Sequence, residues 1–436
     1  MRERSIFGVD ILLMVATLTL LAIGVLFIYS SGVTSDGVSF STEWIRQLVW
    51  VALGVVLLIA ISAVDYGRLR DLSVYFWGGL LVMLIGTLLF GQRVNGARSW
   101  FGIGELGIQP SEFMKIATIL FLASYLEKKG KSIQEPLTFI VAFGIVLAPM
   151  ALILIQPDLG TALVYLPIFL VMSFCAGARP SYLLFILLVG ELTVVFTVLP
   201  AWETIIHGER VPFVAVLTDS KLVLYVCGAA VLVAILGLAG VLLLKRSWFR
   251  WFIYSGAIFG TALLASVAGR RVLKDYQLMR LIVFLDPNVD PRGAGWNIIQ
   301  SVTAVGSGGI AGKGWLQGTQ SHLQYLPQQS TDFIFSIIAE EWGFLGAALV
   351  FLCFAVILGR GLVIAAKAKD RYASFIAVGV ISMIFFHVAV NVGMAIGIMP
   401  ITGIPLMFLS YGGSSLSTAM IGVGLLISIY NHRYRY

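Results

Sequence analysis

Twelve apolar runs of membrane-spanning length divide this chain, and they constrain its fold more than any other feature. The runs cover residues 9–30, 44–65, 73–91, 111–126, 137–155, 160–176, 180–199, 221–244, 250–268, 332–360, 374–398 and 403–430. Because lipid offers no hydrogen-bond partners to an open backbone, each run is expected to be a helix. The chain is 59% hydrophobic and 12% charged, a composition typical of membrane proteins. The sequence therefore predicts an all-α polytopic membrane protein, and the lack of strand-like alternation excludes a closed barrel.

Lysine and arginine residues set the orientation of these spans. They concentrate in alternate connections and at both ends of the chain, at Arg2, Arg4, Arg68, Arg70, Lys128, Lys129, Lys131, Arg179, Lys245, Arg246, Arg250, Arg360, Lys367, Lys369, Arg371, Arg433 and Arg435. By the positive-inside rule, these connections and both termini are expected to be cytoplasmic. The segment between spans nine and ten, residues 269–331, is then a large extracytoplasmic loop.

This loop is polar and rich in glycine, and it is too long to be a simple connection. It contains two Asp-Pro pairs, Asp286-Pro287 and Asp290-Pro291, in which proline favours extended geometry at each aspartate. Residues 276–285 have the pattern of a short amphipathic helix on the membrane surface. Either aspartate could act as a general base on a sugar hydroxyl or simply form a turn, and the pattern leaves both interpretations open.

A second polar segment precedes the fourth span. Pro110 breaks the backbone, and Ser111 is placed to cap the following helix. Glu112 and Lys115 are three residues apart and share a helix face, so they either line a cavity for a charged headgroup or form an ion pair that anchors the helix start. Asp158, in a Pro-Asp-Leu-Gly turn, either caps the next helix or lines an outward cavity.

An anionic leaving group would need positive charge or a metal ion nearby. The basic candidates outside the predicted cytoplasmic connections are Arg98, Lys115, Arg280 and Lys313. No protein metal site is predicted, because the three cysteines lie inside apolar runs without ligand spacing. A divalent cation, Mg²⁺ or Mn²⁺, is the alternative to the basic side chains, and no other cofactor is expected.

Eight motifs occur in a fixed order along the chain: NGARSW, QPSEFMK, QPDLGTA, LDPNVDPRGAGWNIIQS, GKGWLQGTQS, LPQQSTDFIF, EEWGFLG and LSYGGSS. This ordered set resembles the shape, elongation, division and sporulation family of peptidoglycan glycosyltransferases, nearest to its elongation-linked branch. The resemblance implies one membrane glycosyltransferase domain over residues 1–436. It also implies the ten spans usual in the family with an inserted helical pair at 200–268, and a catalytic loop at 269–331.

The resemblance further implies an activity. Family members polymerise lipid II, the undecaprenyl-pyrophosphate disaccharide-pentapeptide, into glycan strands for cell elongation and rod shape. Asp290, in the Val-Asp-Pro-Arg-Gly-Ala-Gly context, matches the family's essential carboxylate and would act as general base, whereas Asp286 is the weaker candidate. The other candidate substrate-binding residues are Glu112, Lys115, Arg98, Asp158, Arg280, Lys313, Gln300 and Ser301.

A class B penicillin-binding protein, which supplies the peptide crosslinks, is the implied partner, with other elongation-machinery proteins and membrane lipids, and no nucleic acid. The implied location is the bacterial cytoplasmic (inner) membrane. Two alternatives stay open: a lipid II flippase, and a non-catalytic scaffold for the transpeptidase. A flippase needs ionisable residues in mid-span. Glu191 is nearly the only such carboxylate, since Glu340 and Glu341 are expected only about two turns into the tenth span.

Overall fold

The computed structural model describes residues 10–34, 37–94, 97–103, 106–209 and 211–433, and within these it is almost entirely helical. The helices are α1 (Ile11–Ser31), α2 (Glu43–Ala63), α3 (Tyr66–Phe90), α4 (Pro110–Lys129), α5 (Pro136–Ile155), α6 (Leu159–Cys175), α7 (Pro180–Trp202), α8 (Pro212–Thr218), α9 (Ser220–Leu243), α10 (Arg250–Val272), α11 (Asp275–Leu285), α12 (Ala294–Ser307), α13 (Thr319–His322), α14 (Ile334–Glu341), α15 (Gly343–Ala366), α16 (Arg371–Ala395) and α17 (Gly413–His432). Between α3 and α4, the strands β1 (Gln92–Val94), β2 (Ala97–Ile103) and β3 (Leu106–Ile108) form an antiparallel sheet in the order β1-β2-β3.

The predicted all-α polytopic fold is confirmed, because every predicted span contains a helix. Ten helices in the described part of the chain are long and apolar enough to cross a membrane. The two remaining predicted spans coincide with α4, which carries several charged residues, and with α6, which has 17 residues. The protein is therefore a multi-pass membrane protein. A count of twelve spans stays a prediction.

Two predicted spans differ from the structure at their outer ends. The predicted span 332–360 is two helices, because α14 ends at Glu341 and α15 begins at Gly343, where φ is +63° and a side chain would be strained. The predicted span 403–430 begins only at Gly413, since residues 400–406 are irregular. A run of apolar residues does not locate such breaks by itself. The sequence does contain helix-breaking residues there, Gly343 in the first and Pro405 in the second.

The segment 269–331 contains more helix than its glycine content suggests. Helix α11 matches the predicted amphipathic helix at 276–285, but α12 was not predicted. Ile298, Ser301 and Ala304 on α12 are all buried, and their spacing of three gives one packed helix face. This face holds the backbone helical despite the flanking glycines.

Residues 1–178 and 296–436 form one compact unit. Helices α16 and α17 are its most buried spans, so this unit has a helical core surrounded by more exposed spans. At one end, the Arg70 guanidinium lies 3.1 Å from a Glu127 oxygen and 3.4 Å from an Asp370 oxygen. These contacts bring together the start of α3, the end of α4 and the start of α16, as alternating spans require.

Residues 179–295 form the second compact unit, which contains α7 to α11. Its core is formed by Phe196, Leu217, Ala262 and Leu263, from α7, α8 and α10. Helix α9 packs closely on α10 because a Cβ at Gly256 would lie 2.5 Å from the Ala230 carbonyl oxygen. The single-domain and inserted-pair assignments stay predictions.

Candidate functional site

A buried ion pair lies at the start of α4. Pro110 occupies the first turn, where its missing N–H costs nothing, and the helix then places Glu112 and Lys115 on one face. The two residues are 2% and 0% exposed, and both Glu112 carboxylate oxygens lie 2.8 Å from the Lys115 Nζ. Charges this deeply buried are retained only when paired. The predicted ion pair is therefore present, and it is buried.

His387 of α16 completes what we call the Lys115 cluster, formed by Glu112, Lys115 and His387. Its Nε2 lies 3.1 Å from the Lys115 Nζ, and its Nδ1 lies 2.9 Å from the Pro405 carbonyl oxygen. His387 is 272 residues from Lys115 along the chain, so the spacing of residues in the sequence does not indicate this contact. The available signal was a lone ionisable residue in the middle of an apolar span.

The irregular segment at residues 400–406 is held by side chains from α16 and by its own turn. Asn391 donates hydrogen bonds to the carbonyl oxygens of Ile404, at 2.8 Å, and of Asp332, at 2.9 Å. The Ser410 hydroxyl accepts from the Leu406 N–H at 2.8 Å and donates to the Thr331 carbonyl at 2.5 Å. Non-helical backbone inside a membrane protein is stable only where such partners satisfy it. Asn391 and His387 therefore fix the segment beside the Lys115 cluster.

Asp158 caps α6, which is one of the two roles that the sequence left open. One of its carboxylate oxygens accepts from the Thr161 N–H at 3.1 Å and caps α6, while the other accepts from the Gln109 side chain at 2.8 Å. The Gln109 N–H in turn donates to the Ser414 hydroxyl at 2.9 Å. Burial raises the pKa of the Asp158 carboxyl above its ordinary value. These bonds connect the starts of α4, α6 and α17.

Lys313 contacts Glu340, which is fully buried. The Lys313 Nζ lies 2.7 Å from Glu340 Oε1 and donates to the Thr319 hydroxyl at 2.8 Å. The same carboxylate oxygen accepts from the Thr319 N–H at 2.8 Å and from the Gln320 N–H at 3.1 Å. The structure therefore gives Lys313 protein partners within this unit, where the sequence suggested a free cation.

Glu341, the next residue, has a different set of partners. It accepts from the Ser30 hydroxyl at 2.5 Å and from the Leu316 N–H at 3.1 Å, and its Oε1 lies 3.4 Å from the His322 Nε2. We expected both glutamates within a continuous span, but that expectation is wrong because α14 ends at Glu341. The two carboxylates hold residues 313–322 at this helix break.

Three further predicted substrate-binding residues have different surroundings. Ser301 is buried, and its hydroxyl donates to the Ala395 carbonyl at 2.7 Å and lies 2.6 Å from the Ser336 hydroxyl. Gln300, its neighbour on α12, is half-buried, and Arg98 is exposed on β2. Of these three residues, Ser301 therefore has its hydroxyl in the packed contact of α12 with α14 and α16.

The second unit contains the two Asp-Pro pairs. We call residues 286–295 the Asp290 turn. Asp286 accepts from the Asn288 N–H at 2.9 Å and forms a local turn. Asp290 is half-buried, and its Oδ2 accepts from the Ala294 N–H, the first residue of α12, at 2.9 Å. In the described part of the chain Asp290 forms no ion pair, so one carboxylate oxygen is left without a protein partner.

Glycine is required at two places in the Asp290 turn. A Cβ added at Gly293 would lie 2.1 Å from the Asp290 Oδ2, and one at Gly295 would lie 2.1 Å from the Pro287 carbonyl oxygen. No real Cβ approaches so closely, so a larger residue would displace the Asp290 carboxylate at position 293 and the Pro287 backbone at position 295. Arg280 on α11 is half-buried, with its guanidinium carbon 5.6 Å from the centre of the Tyr276 ring.

A protein-only metal site is not found among the residues that the structure describes, since no three His, Cys, Asp or Glu side chains group together there. Five of the nine predicted site residues fall into three groups. Glu112 and Lys115 form the Lys115 cluster, with Asp158 at the start of α6; Lys313 lies at the Glu340–Glu341 helix break; and Asp290 lies in its turn in the second unit. Arg98, Arg280, Gln300 and Ser301 lie outside these groups.

Comparisons with known proteins give a consistent result. The FtsW/RodA/SpoVE family model, described as cell cycle protein, matches residues 11–223 and 209–435. "Peptidoglycan glycosyltransferase RodA" of Treponema pallidum (strain Nichols) is 51% identical over 98% of this chain and 99% of its own. "Peptidoglycan glycosyltransferase MrdB" of Escherichia coli (strain K12) is 31% identical over 89% of this chain and 85% of its own. A chain from a structure described as "Structural coordination of polymerization and crosslinking by a peptidoglycan synthase complex" is 28% identical, with a TM-score of 0.68, over 98% of this chain and 99% of that one.

Proposed function

We infer that this chain, which belongs to the FtsW/RodA/SpoVE family, is a peptidoglycan glycosyltransferase that polymerises lipid II into glycan strands for cell elongation. The near full-length identity to a relative of that name supports the activity. The observation that carries the mechanism is the Asp290 turn. It holds one carboxylate oxygen by a backbone N–H and leaves the other without a protein partner in the described residues.

The chemistry that suits this turn is general-base catalysis. The acceptor sugar hydroxyl attacks the anomeric carbon of the donor, and the bond from that carbon to the lipid pyrophosphate breaks. The hydroxyl proton passes to the free oxygen of Asp290 as the new bond forms. The Ala294 N–H keeps the carboxylate oriented, and Gly293 and Gly295 allow the close backbone that this requires.

The departing pyrophosphate needs positive charge. Lys115 and Lys313 already have carboxylate partners, whereas Arg98 is exposed and Arg280 is half-buried without an ion pair among the described residues. Arg280, which belongs to the same unit as Asp290, is therefore the better candidate to bind this anion. A divalent cation could be bound by the pyrophosphate oxygens themselves. The described residues do not form a protein site for it, and no step of the proposal depends on it.

The proposed partner is a class B penicillin-binding protein acting as transpeptidase, with other elongation-machinery proteins. Support comes from the structural likeness to a chain of a peptidoglycan synthase complex in which polymerisation and crosslinking are coordinated. The proposed location is the bacterial cytoplasmic membrane with both termini inside. The distribution of lysine and arginine supports this orientation.

The test is polymerisation of lipid II by purified protein in detergent, with and without a class B penicillin-binding protein. Wild type is expected to form glycan strands on a gel, and Asp290→Ala is expected to form none. Asp286→Ala is the matched control, because Asp286 belongs to the same turn but, among the described residues, its side chain bonds only to Asn288, two positions on. Strands from Asp290→Ala at the wild-type rate would support a scaffold, and lipid movement in vesicles without polymer would support a flippase.

A further inference from the structure

We propose that His387 is a positioning residue that fixes Lys115 for the activity proposed above. The imidazole is buried in α16 and bridges the Lys115 Nζ, at 3.1 Å, and the Pro405 carbonyl oxygen, at 2.9 Å. Its effect on catalysis rests on the proposed function. Its contact with Lys115 can be tested without any activity.

The two contacts determine the protonation state of the ring. A carbonyl oxygen can only accept, so the His387 Nδ1 facing Pro405 carries a hydrogen. The Nε2 faces an ammonium group, which can only donate, so this nitrogen presents its lone pair. The imidazole is therefore neutral, and a charged ring would place a second N–H donor against the Lys115 cation.

Lys115 is consequently held from two directions. Glu112 attracts the ammonium from the same face of α4, and His387 accepts one of its hydrogens from α16. An ammonium has three N–H donors, and a buried donor without a partner is destabilising. Without His387 the ammonium would turn toward Glu112 alone, and its position would no longer be set by α16.

The Pro405 contact links this arrangement to the irregular segment at 400–406. Asn391, one turn along α16 from His387, holds the Ile404 carbonyl of the same segment. The segment also packs on the start of α6, since a Cβ at Gly160 would lie 2.4 Å from the Thr402 carbonyl oxygen. His387 therefore ties the Lys115 ammonium to backbone that also contacts the α6 start, next to Asp158.

Two substitutions separate positioning from proton transfer. Glutamine at position 387 offers an amide NH2 as donor and an oxygen as acceptor, so it can replace both hydrogen bonds of the neutral ring but does not titrate. Leucine has similar bulk and offers neither. We expect His387→Gln to retain most lipid II polymerisation, and His387→Leu to lower kcat by about 10²-fold, the loss typical of misplaced site groups. Ser382→Ala, also buried on α16, is the control and should polymerise like wild type.

A double-mutant cycle in thermal unfolding tests the contact itself. His387→Leu and Lys115→Met should each lower the unfolding midpoint, and the double variant should fall by less than the sum. Additive shifts would overturn the proposal, whatever the activity. So would a His387→Leu variant with wild-type rates. Loss of activity in His387→Gln together with loss of the wild-type pH profile would show acid–base chemistry instead. If wild type polymerises no lipid II, the proposed function fails while the cycle still decides the contact.

Discussion

The Asp290 turn and the Lys115 cluster both contain residues of the family motifs, but they are built in opposite ways. Asp290 is half-buried, and its carboxylate accepts from a backbone N–H four residues away along the chain. The Lys115 cluster is fully buried, and His387 comes from 272 residues away. One site is formed by local backbone geometry, and the other exists only when distant helices pack together.

This difference implies a division of work. A half-exposed carboxylate keeps its charge in contact with water and can exchange protons with a substrate. A buried ion pair is costly to desolvate and is held in place by its partners. It is therefore better suited to keeping a charge at a fixed position than to transferring a proton. We therefore expect substitutions at Asp290 to change chemistry with little change in stability, and substitutions in the Lys115 cluster to change both.

The largest expected effect is that of Asp290→Asn. Asparagine can still accept from the Ala294 N–H but cannot take up a proton from a hydroxyl, so lipid II polymerisation should fall by about 10²- to 10⁴-fold. The thermal unfolding midpoint should remain that of wild type, because the local bond survives. A variant that polymerises normally would show that Asp290 is only a turn-former.

Lys115→Met should have the next largest effect, which should be seen mainly as a loss of the free energy of unfolding. It leaves Glu112 buried without its cation, which typically costs about 3–5 kcal/mol. Unfolding in a detergent titration should show this loss, and the double variant Glu112→Gln, Lys115→Met should recover part of it. An unchanged stability for Lys115→Met would erase the contrast with Asp290.

Ser301→Ala is expected to have a smaller effect. It removes a buried hydroxyl that donates to the Ala395 carbonyl, so stability should fall by about 1 kcal/mol with the KM for lipid II unchanged. Ser428→Ala is the matched control, since Ser428 also donates to a backbone carbonyl, that of Val64, at 2.6 Å. A raised KM without a loss of stability would instead support the sequence-based interpretation that Ser301 binds substrate.

The same contrast explains how far the sequence could lead. Hydrophobic runs predicted a helix in every span, and local patterns predicted α11, the α6 cap at Asp158 and the Glu112–Lys115 pair. Each of these depends on residues within a few positions of one another. Local pattern and local structure agree wherever no distant partner decides the outcome.

What the sequence could not show depends on tertiary contacts. At the break between α14 and α15, Glu340 and Glu341 bind residues 313–322 through contacts that join positions 27 and 25 residues apart, which the sequence alone does not show. His387 acquires a role only because α16 packs beside α4. Lys313 looks like a free cation in the sequence and becomes a partner of Glu340 only in the folded unit.

The smallest expected effect is a pH dependence of stability at the break between α14 and α15, where the buried carboxylate of Glu341 faces His322. The Glu341 carboxylate, whose Oε1 lies 3.4 Å from Nε2, raises the pKa of His322 above its ordinary value of 6.5, and the Val33 carbonyl, 2.6 Å from Nδ1, adds to it. Both ring nitrogens thus face acceptors, which favours the charged ring, in contrast to His387. Glu340 and its partner Lys313 are the other charged groups nearby.

Because the folded pKa of His322 is raised, its stabilisation is complete below pH 6.5 and is lost as the pH rises through the folded value. The unfolding midpoints of wild type and His322→Gln should therefore differ more at about pH 6 than at about pH 9. Thermal unfolding in detergent at the two pH values measures this difference. An equal gap at both would mean that His322 is neutral in the folded protein, as His387 is, and that Glu341 is held by Ser30 and the Leu316 N–H alone.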